Sequence, residues 1–293
     1  MNNKSDYEYH LLSRREHKKC EKWANYILEK ALAIYKLRDY WSLKHSNVIN
    51  YLIHEIGKPE VVLFCSTSNL SQSLLEFNNQ TKKNQINLKA TVIKRVNSIF
   101  TEKVSGFTIF SSIKPIIFIN ADNIETWPRV LFTIYHELIH CYLAYLHDDY
   151  LKLAMQIGKE KMTHKALEKY SSQLRHVEIQ TNAIAAMLYV PDYMLNKFTI
   201  FKSFRQLQAQ FQMSTSAMHN RLFEYFYFKN GWTKKASLAA TIAFRNQDLK
   251  LISYYRRMLL SKNKGKVEAF LCPLRKDPII KENLWQSFYF KLI

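Results

Sequence analysis

Turn-formers are scarce in this chain, and that scarcity limits its possible folds more than any other feature. Its 293 residues include 5 glycines and 6 prolines. Glycine supplies backbone conformations with positive φ, and proline stops helices. With so few of either, few turns and few irregular loops are expected, and mostly helix. Hydrophobic residues make up 47% and aromatic residues 14%, enough to build a sizeable core. No internal repeat or low-complexity segment interrupts it.

Periodicity places the elements. In "EKWANYILEKALAIYKL", Trp23, Ile27, Ala31 and Ile34 recur at helical spacing. "HSNVINYLIHEIGKPE" reads as a second helix, stopped by Gly57 and Pro59. "EVVLFC" is a short strand, and "SNLSQSLLEFNNQTKKNQ" is polar, a loop with a short helix. "GFTIF" and "PIIFIN" are rich in β-branched and aromatic residues, and "SSIK" between them predicts a hairpin. Thr126 is the expected cap of a helix that begins Trp127-Pro128 and runs through "RVLFTIYHELIHCYLAYL". Its apolar stripe is Leu131, Ile134, Leu138 and Tyr142. Residues 151–170 read as a further helix. "SSQLRHVEIQTNAIAAMLYVPDYML" is a long helix starting at Ser171 or Ser172 and closed at Pro191. "SFRQLQAQFQMSTSAMHNRLFEYF" reads helix, turn, helix, with Ser214 capping the second. A single amphipathic helix is expected around "TIAFRNQDLKLISYYRRMLL".

The helix through residue 136 carries the chemistry. His136 and His140 lie four apart, so both imidazoles project from one face, one turn from each other, where they can hold one ion. Glu137 is rotated to the side and can reach a water there. This HExxH arrangement is that of zinc hydrolases, which use a third protein ligand and leave one position open. His147 lies two turns further along the same helix, too far to complete the set. The extended pattern HExxHxxGxxH fails because Leu143 and Leu146 stand at its Gly and last His positions. Glu178, 38 residues after His140 and on a separate helix, is the favoured third ligand. Glu160 and Glu168 are the rivals, in Lys-rich surroundings typical of solvated helix positions. Asn182, four residues after Glu178, is on the same face and is expected to hydrogen-bond a ligand histidine. The strand Ile116–Asn120 is a candidate to align an extended peptide along its edge. Tyr135, Tyr142, His164 and His176 are oxyanion-stabilising candidates by residue type alone. Cys141 reads as a small buried thiol.

The segments "GFTIFSSIKPIIFINADN", "YHELIHCYL" and "VEIQTNAIAAMLYVPDYML" together resemble the ImmA/IrrE family of zinc metallopeptidases. That family follows its HExxH helix with a segment of the form E-x-(E/Q)-A-(N/D), then (M/V)-P. Glu178, Gln180, Asn182, Val190 and Pro191 match it, while Thr181 stands where Ala is usual and Ile184 where Phe is usual, at what read as packing positions. "FRQLQAQFQMSTSAMHNRL" looks like the family's downstream helix–turn–helix-like segment. The resemblance covers about residues 100–225. It implies a mostly helical α+β fold, a zincin-like core with a small antiparallel sheet and added N- and C-terminal helical regions. The expected divisions are a mainly helical extension at 1–95, the peptidase core at 96–195, the helix–turn–helix-like segment at 196–230 and a basic helical region at 231–293. It also implies Zn2+ on His136, His140 and Glu178, with Glu137 as general base. The implied substrate is a helix–turn–helix repressor, whose cleavage switches on a mobile element, phage or stress operon.

The net charge of +19 rises toward the C-terminus, where residues 231–293 hold 13 Lys and Arg against 4 Asp and Glu. Such a surface could attract DNA or an acidic protein, and a solvated basic surface is the favoured reading. The second helix of the helix–turn–helix-like segment offers only His219, Asn220 and Arg221, so packing against the peptidase core is favoured over DNA readout. The run Tyr225 to Phe228 reads as core or partner surface. Four scattered cysteines without a CxxC pair, no signal-like stretch and no membrane-length apolar run point to a cytoplasmic protein with reduced thiols. The alternative to a peptidase is a DNA- or protein-binding regulator whose metal site is structural or vestigial.

Overall fold

The computed structural model describes residues 12–67, 69–111, 114–162 and 171–262. The chain divides after Asp192 into two compact units.

The first unit is built on a four-stranded sheet of β1 (Glu60–Cys65), β2 (Ala90–Arg95), β3 (Gly106–Phe110) and β4 (Pro115–Asn120), in the order β2-β1-β4-β3. β1 runs parallel to β2 and to β4, and β3 pairs antiparallel with β4. The sheet is therefore mixed, where an antiparallel one was expected. The hairpin β3–β4 forms as its composition predicts, with Phe107 opposite Phe118 and their rings stacked at 4.5 Å. β1 is interior and buried at five of its six residues, which explains its unbroken apolar run. Because the sheet recruits β1 and β2, the expected boundary at 95/96 runs through it, and residues before 96 are not a separate helical extension.

Parallel strands cannot be joined by a two-residue turn. The connection from β1 to β2 is a full helix, α3 (Leu70–Lys83), in the segment expected to be mostly loop. The other helices of this unit are α1 (Arg14–Ile34), α2 (His45–Glu55), α4 (Ser98–Lys103), α5 (Trp127–Leu146), α6 (Asp148–Met162) and α7 (Ser172–Tyr189). α1 opens with a capping box between Ser13 and Glu16. α2 ends at Glu55, before two residues with positive φ, Gly57 and Lys58. α5 has Pro128 in its first turn as expected, but the Thr126 hydroxyl donates to Asn123 O instead of capping the helix. α5 is central: from Val130 to Ala144 every residue but Phe132 is buried, and it packs against α2, α6, α7, β3 and β4. The two histidines thus lie on a helix covered on all sides.

The second unit holds α8 (Asp192–Phe201), α9 (Phe204–Phe211), α10 (Thr215–Glu224), a π-helical turn at Tyr225–Lys229, α11 (Lys234–Asn246) and α12 (Leu249–Lys262). Ser214 caps α10. His219 and Arg221 are each 2% exposed, so of the three polar residues offered to DNA only Asn220 faces solvent. Phe226 of the aromatic run stacks on Trp232 at 5.0 Å. The single helix expected near residue 250 is two, because Gln247 adopts φ +57 and Asp248 starts a new helix by accepting from Leu251 N at 3.0 Å. Among the described residues no helix is long and apolar enough to cross a membrane. Cys20, Cys65 and Cys141 are buried free thiols. Cys272 and residues 263–293 of the basic region lie outside the described residues.

Candidate metal centre

α5 presents His136 and His140, and α7 presents Glu178. The two Nε2 atoms lie 3.0 Å apart; His136 Nε2 is 3.3 Å from Glu178 Oε2, and His140 Nε2 is 3.3 Å from Glu178 Oε1. An ion held tetrahedrally at the usual zinc–nitrogen and zinc–oxygen lengths separates its ligands by about 3.3 Å. The distances are close to that figure, each imidazole facing a different oxygen of the carboxylate; with one donor atom per residue the three lie within 4.8 Å of one another, and among the described residues they form a His/Glu group that could hold a metal. The donors also fit an ion better than they fit one another. Glu178 Oε1 is buried without a well-aligned hydrogen bond, although charges surround it. Burial alone would raise the Glu178 carboxyl, but Lys161, His136 and His140 together hold it well below the usual carboxylate range. Burial lowers His140, against the pull of Glu178, and so favours the neutral imidazole that a metal needs.

Glu137 is 1% exposed. Thr108 of β3 donates to its Oε2 at 2.9 Å, leaving Oε1 toward His136 Nε2 at 4.0 Å. Gly106 makes this possible: a Cβ there would sit 2.5 Å from Thr133 Cγ2 and 3.4 Å from Glu137 Oε1. Asn120 donates to Thr101 O and Val104 O, fixing the chain where it enters β3. The site opens into a cleft of about 260 Å³ whose walls include Lys103, Gly106, Arg129, Phe132 and Thr133.

The expected role of Asn182 is not seen. It lines the cleft, exposed, and bonds neither imidazole. The α7 turn carries Thr181 inward and Asn182 outward. Tyr150, from α6, does what Asn182 was expected to do: its Oη lies 3.2 Å from His140 Nδ1 and also meets the Thr181 hydroxyl. With Nδ1–H donating to Tyr150 and Tyr150 donating to Thr181, His140 Nε2 presents a lone pair to the site. Thr181, read as a packing position, is thus part of the support.

Among the oxyanion candidates, Tyr135 bonds His45, Tyr142 lies 3.5 Å from Tyr51, and His176 meets Gln180 and Glu16. None of the three lines the cleft. His164 and the rival ligand Glu168 lie outside the described residues, and Glu160 accepts from Gln156, away from the metal group. Cys141 is buried beside Thr108, and burial pushes its thiol up.

The expected substrate edge also moves. β4 is interior, flanked by β1 and β3, so it has no free side. β3 is the outer strand. Ser105 O accepts from Asn120 N, and ladder alternation then turns Thr108 O outward. There α6 meets it, with Gly158 so close that a Cβ would lie 2.3 Å from Thr108 O.

Sequence reasoning also missed Lys161, which is buried on α6 one turn after Gly158. Its Nζ lies 3.1 Å from Glu178 Oε1 and 3.9 Å from Glu137 Oε1. The signal was available: a glycine inside a helical pattern marks a close approach, and the residue three on shares its face. No protein-family model, curated protein or solved structure matches the chain.

Proposed function

We propose that this protein is a zinc-dependent endopeptidase of the ImmA/IrrE type, acting on a helix–turn–helix repressor. The observation that carries the reading is the convergence of His136, His140 and Glu178 at metal-ligand spacing beside a buried Glu137, at the floor of an open cleft. Three protein donors with space beside them suit catalysis, whereas a structural zinc is usually closed by four. Zinc bound there supplies a Lewis acid that polarises a peptide carbonyl and makes a water more acidic.

The chain's own groups supply the rest. Thr108 holds Glu137 Oε2, which leaves Oε1 to take a proton from the attacking water. The same carboxyl then passes that proton to the departing amine nitrogen. Tyr150 and Thr181 hold His140 in its ligating tautomer. The repressor as substrate rests on the family resemblance alone.

The test is Glu137→Gln, which leaves all three ligands in place. The variant binds one zinc per chain, as the wild type does, and proteolysis falls by about 10²- to 10⁴-fold. New N-termini in a helix–turn–helix repressor, found by terminal-peptide mass spectrometry in cells making the wild type, vanish in cells making the variant. If gene induction persists undiminished with Glu137→Gln, the chain works by binding and the metal only props its fold.

A further inference from the structure

The site holds two carboxylates side by side, the buried Glu137 on α5 and the half-buried Glu178 on α7, and one buried ammonium reaches both. Lys161 Nζ is 3.1 Å from Glu178 Oε1 and 3.9 Å from Glu137 Oε1, and the lysine is 8% exposed. Burying a long cationic side chain is unfavourable unless fixed anions meet it. This one is brought in by design of the backbone. Gly158 lets α6 press onto β3 at Thr108, and Lys161, three residues on, projects from the same face into the floor of the cleft. Lys103 and Arg129 also line the cleft but sit exposed at its rim, and Arg129 donates to Ser105 Oγ.

Charge balance then has two states. Without an ion, Lys161 is an ammonium within 3.9 Å of both carboxylates, and removing it takes that shared cation away. With a divalent ion present, the same ammonium stands close to a like charge. We propose that Lys161 is the internal counter-cation of this site: it holds Glu137 and Glu178 together when no metal is present and, by repelling a divalent ion, sets the affinity with which the metal is bound. The proposal rests on the metal-binding reading of His136, His140 and Glu178. It makes Lys161 a positioning residue, acting through the two glutamates.

The test compares the full chain with Lys161→Met and Lys161→Arg. Zinc affinity is measured by competition with a chromogenic chelator, and melting temperature is measured in EDTA and in zinc. Removing a like charge a few ångströms from a divalent ion tightens binding by roughly tenfold or more even at a moderately high effective dielectric. Lys161→Met therefore binds zinc at least about tenfold more tightly than the wild type. It melts lower in EDTA, and zinc raises its melting temperature by more than it raises that of the wild type. Lys161→Arg, which keeps the charge, stays near the wild type in both measurements. Should Lys161→Met fail to fold in EDTA, the double variant Lys161→Met/Glu137→Gln, with one carboxylate fewer, recovers folding.

A purely structural lysine would lower both melts equally and leave affinity unchanged or weaker; that result overturns the proposal. So does a double variant no better folded than Lys161→Met. A wild type that binds no zinc would instead remove the metal reading itself, before Lys161 is in question.

Discussion

Tyr150 holds His140 from behind, and on the proposed metal-binding reading its loss is felt at the site rather than in the core. Its hydroxyl bridges His140 Nδ1 and Thr181. Tyr150→Phe removes that bridge while keeping the ring, so His140 can turn or change tautomer. Losing such a partner weakens metal binding by about 10- to 100-fold. The expected outcome is a zinc dissociation constant raised by that factor, with far-ultraviolet circular dichroism unchanged. At this scale the sequence was most legible where spacing alone carries the chemistry. His136, His140 and Glu137 are fixed relative to one another by the helix, and Glu178 was preferred over Glu160 and Glu168 because those two stand in Lys-rich, solvated surroundings. Tyr150, Thr181 and Lys161 were not read, because each matters through a contact between α6 and another element. Asn182 was read one position off: on a helix, adjacent residues face about 100° apart, and it is Thr181 that turns inward.

α6 reaches the site only because Gly158 gives it a place on β3. A methyl group at 158 would stand 2.3 Å from Thr108 O, which is backbone and cannot rotate away. Gly158→Ala therefore pushes α6 outward, at a cost typical of overpacking, about 1–3 kcal/mol. Tyr150 and Lys161 withdraw with it. The expected result is a lower melting temperature, read by calorimetry. On zinc affinity the two withdrawals act in opposite directions, so the contact is tested in the Lys161→Met background, where adding Gly158→Ala weakens zinc binding by chelator competition; unchanged affinity there would show that α6 does not place Tyr150. Elements were legible where they carry their own stops. α7 begins after Ser171 and ends before Pro191, as its cap and its proline dictate. α3 was taken for loop because only Phe77 and Thr81 of its 14 residues are buried, too thin an apolar stripe to show a period. β2 was missed for a related reason: it is an edge strand with a single fully buried residue, and nothing local in "ATVIKR" reveals that its partner lies at 60–65. The mixed topology follows from that same distant pairing.

Both units carry a histidine that the fold keeps neutral. In the first, His45 stacks on Tyr189 at 4.8 Å and shares a hydrogen bond with Tyr135, and burial pushes its pKa down to about 4. In the second, burial and then Arg245 bring His219 down to about 4. An unfolded chain protonates its histidines near pH 6.5, before the folded one does. The unfolded state therefore binds more protons between about pH 6.5 and 4, and stability is complete above that window and lost as pH falls through it. His140 adds in the same direction when no ion is bound. Melting temperatures in EDTA are expected to decline from pH 6.5 to 5, a range in which ordinary carboxylates contribute little. His45→Phe, which keeps a ring against Tyr189, should flatten that decline, and an unchanged slope would count against the assignment. None of this was visible in composition, which shows ten histidines without saying which are buried.

The seat of Gly158 on the Thr108 carbonyl has one more consequence. At Thr108 the outer edge of the sheet is taken: the outward-facing carbonyl there lies against the molecule's own helix. If the cleft receives a polypeptide, as proposed, that carbonyl is already engaged and offers it no ladder hydrogen bond. Recognition would then fall to the side chains at the mouth, the ring of Phe132 and the cations of Lys103 and Arg129.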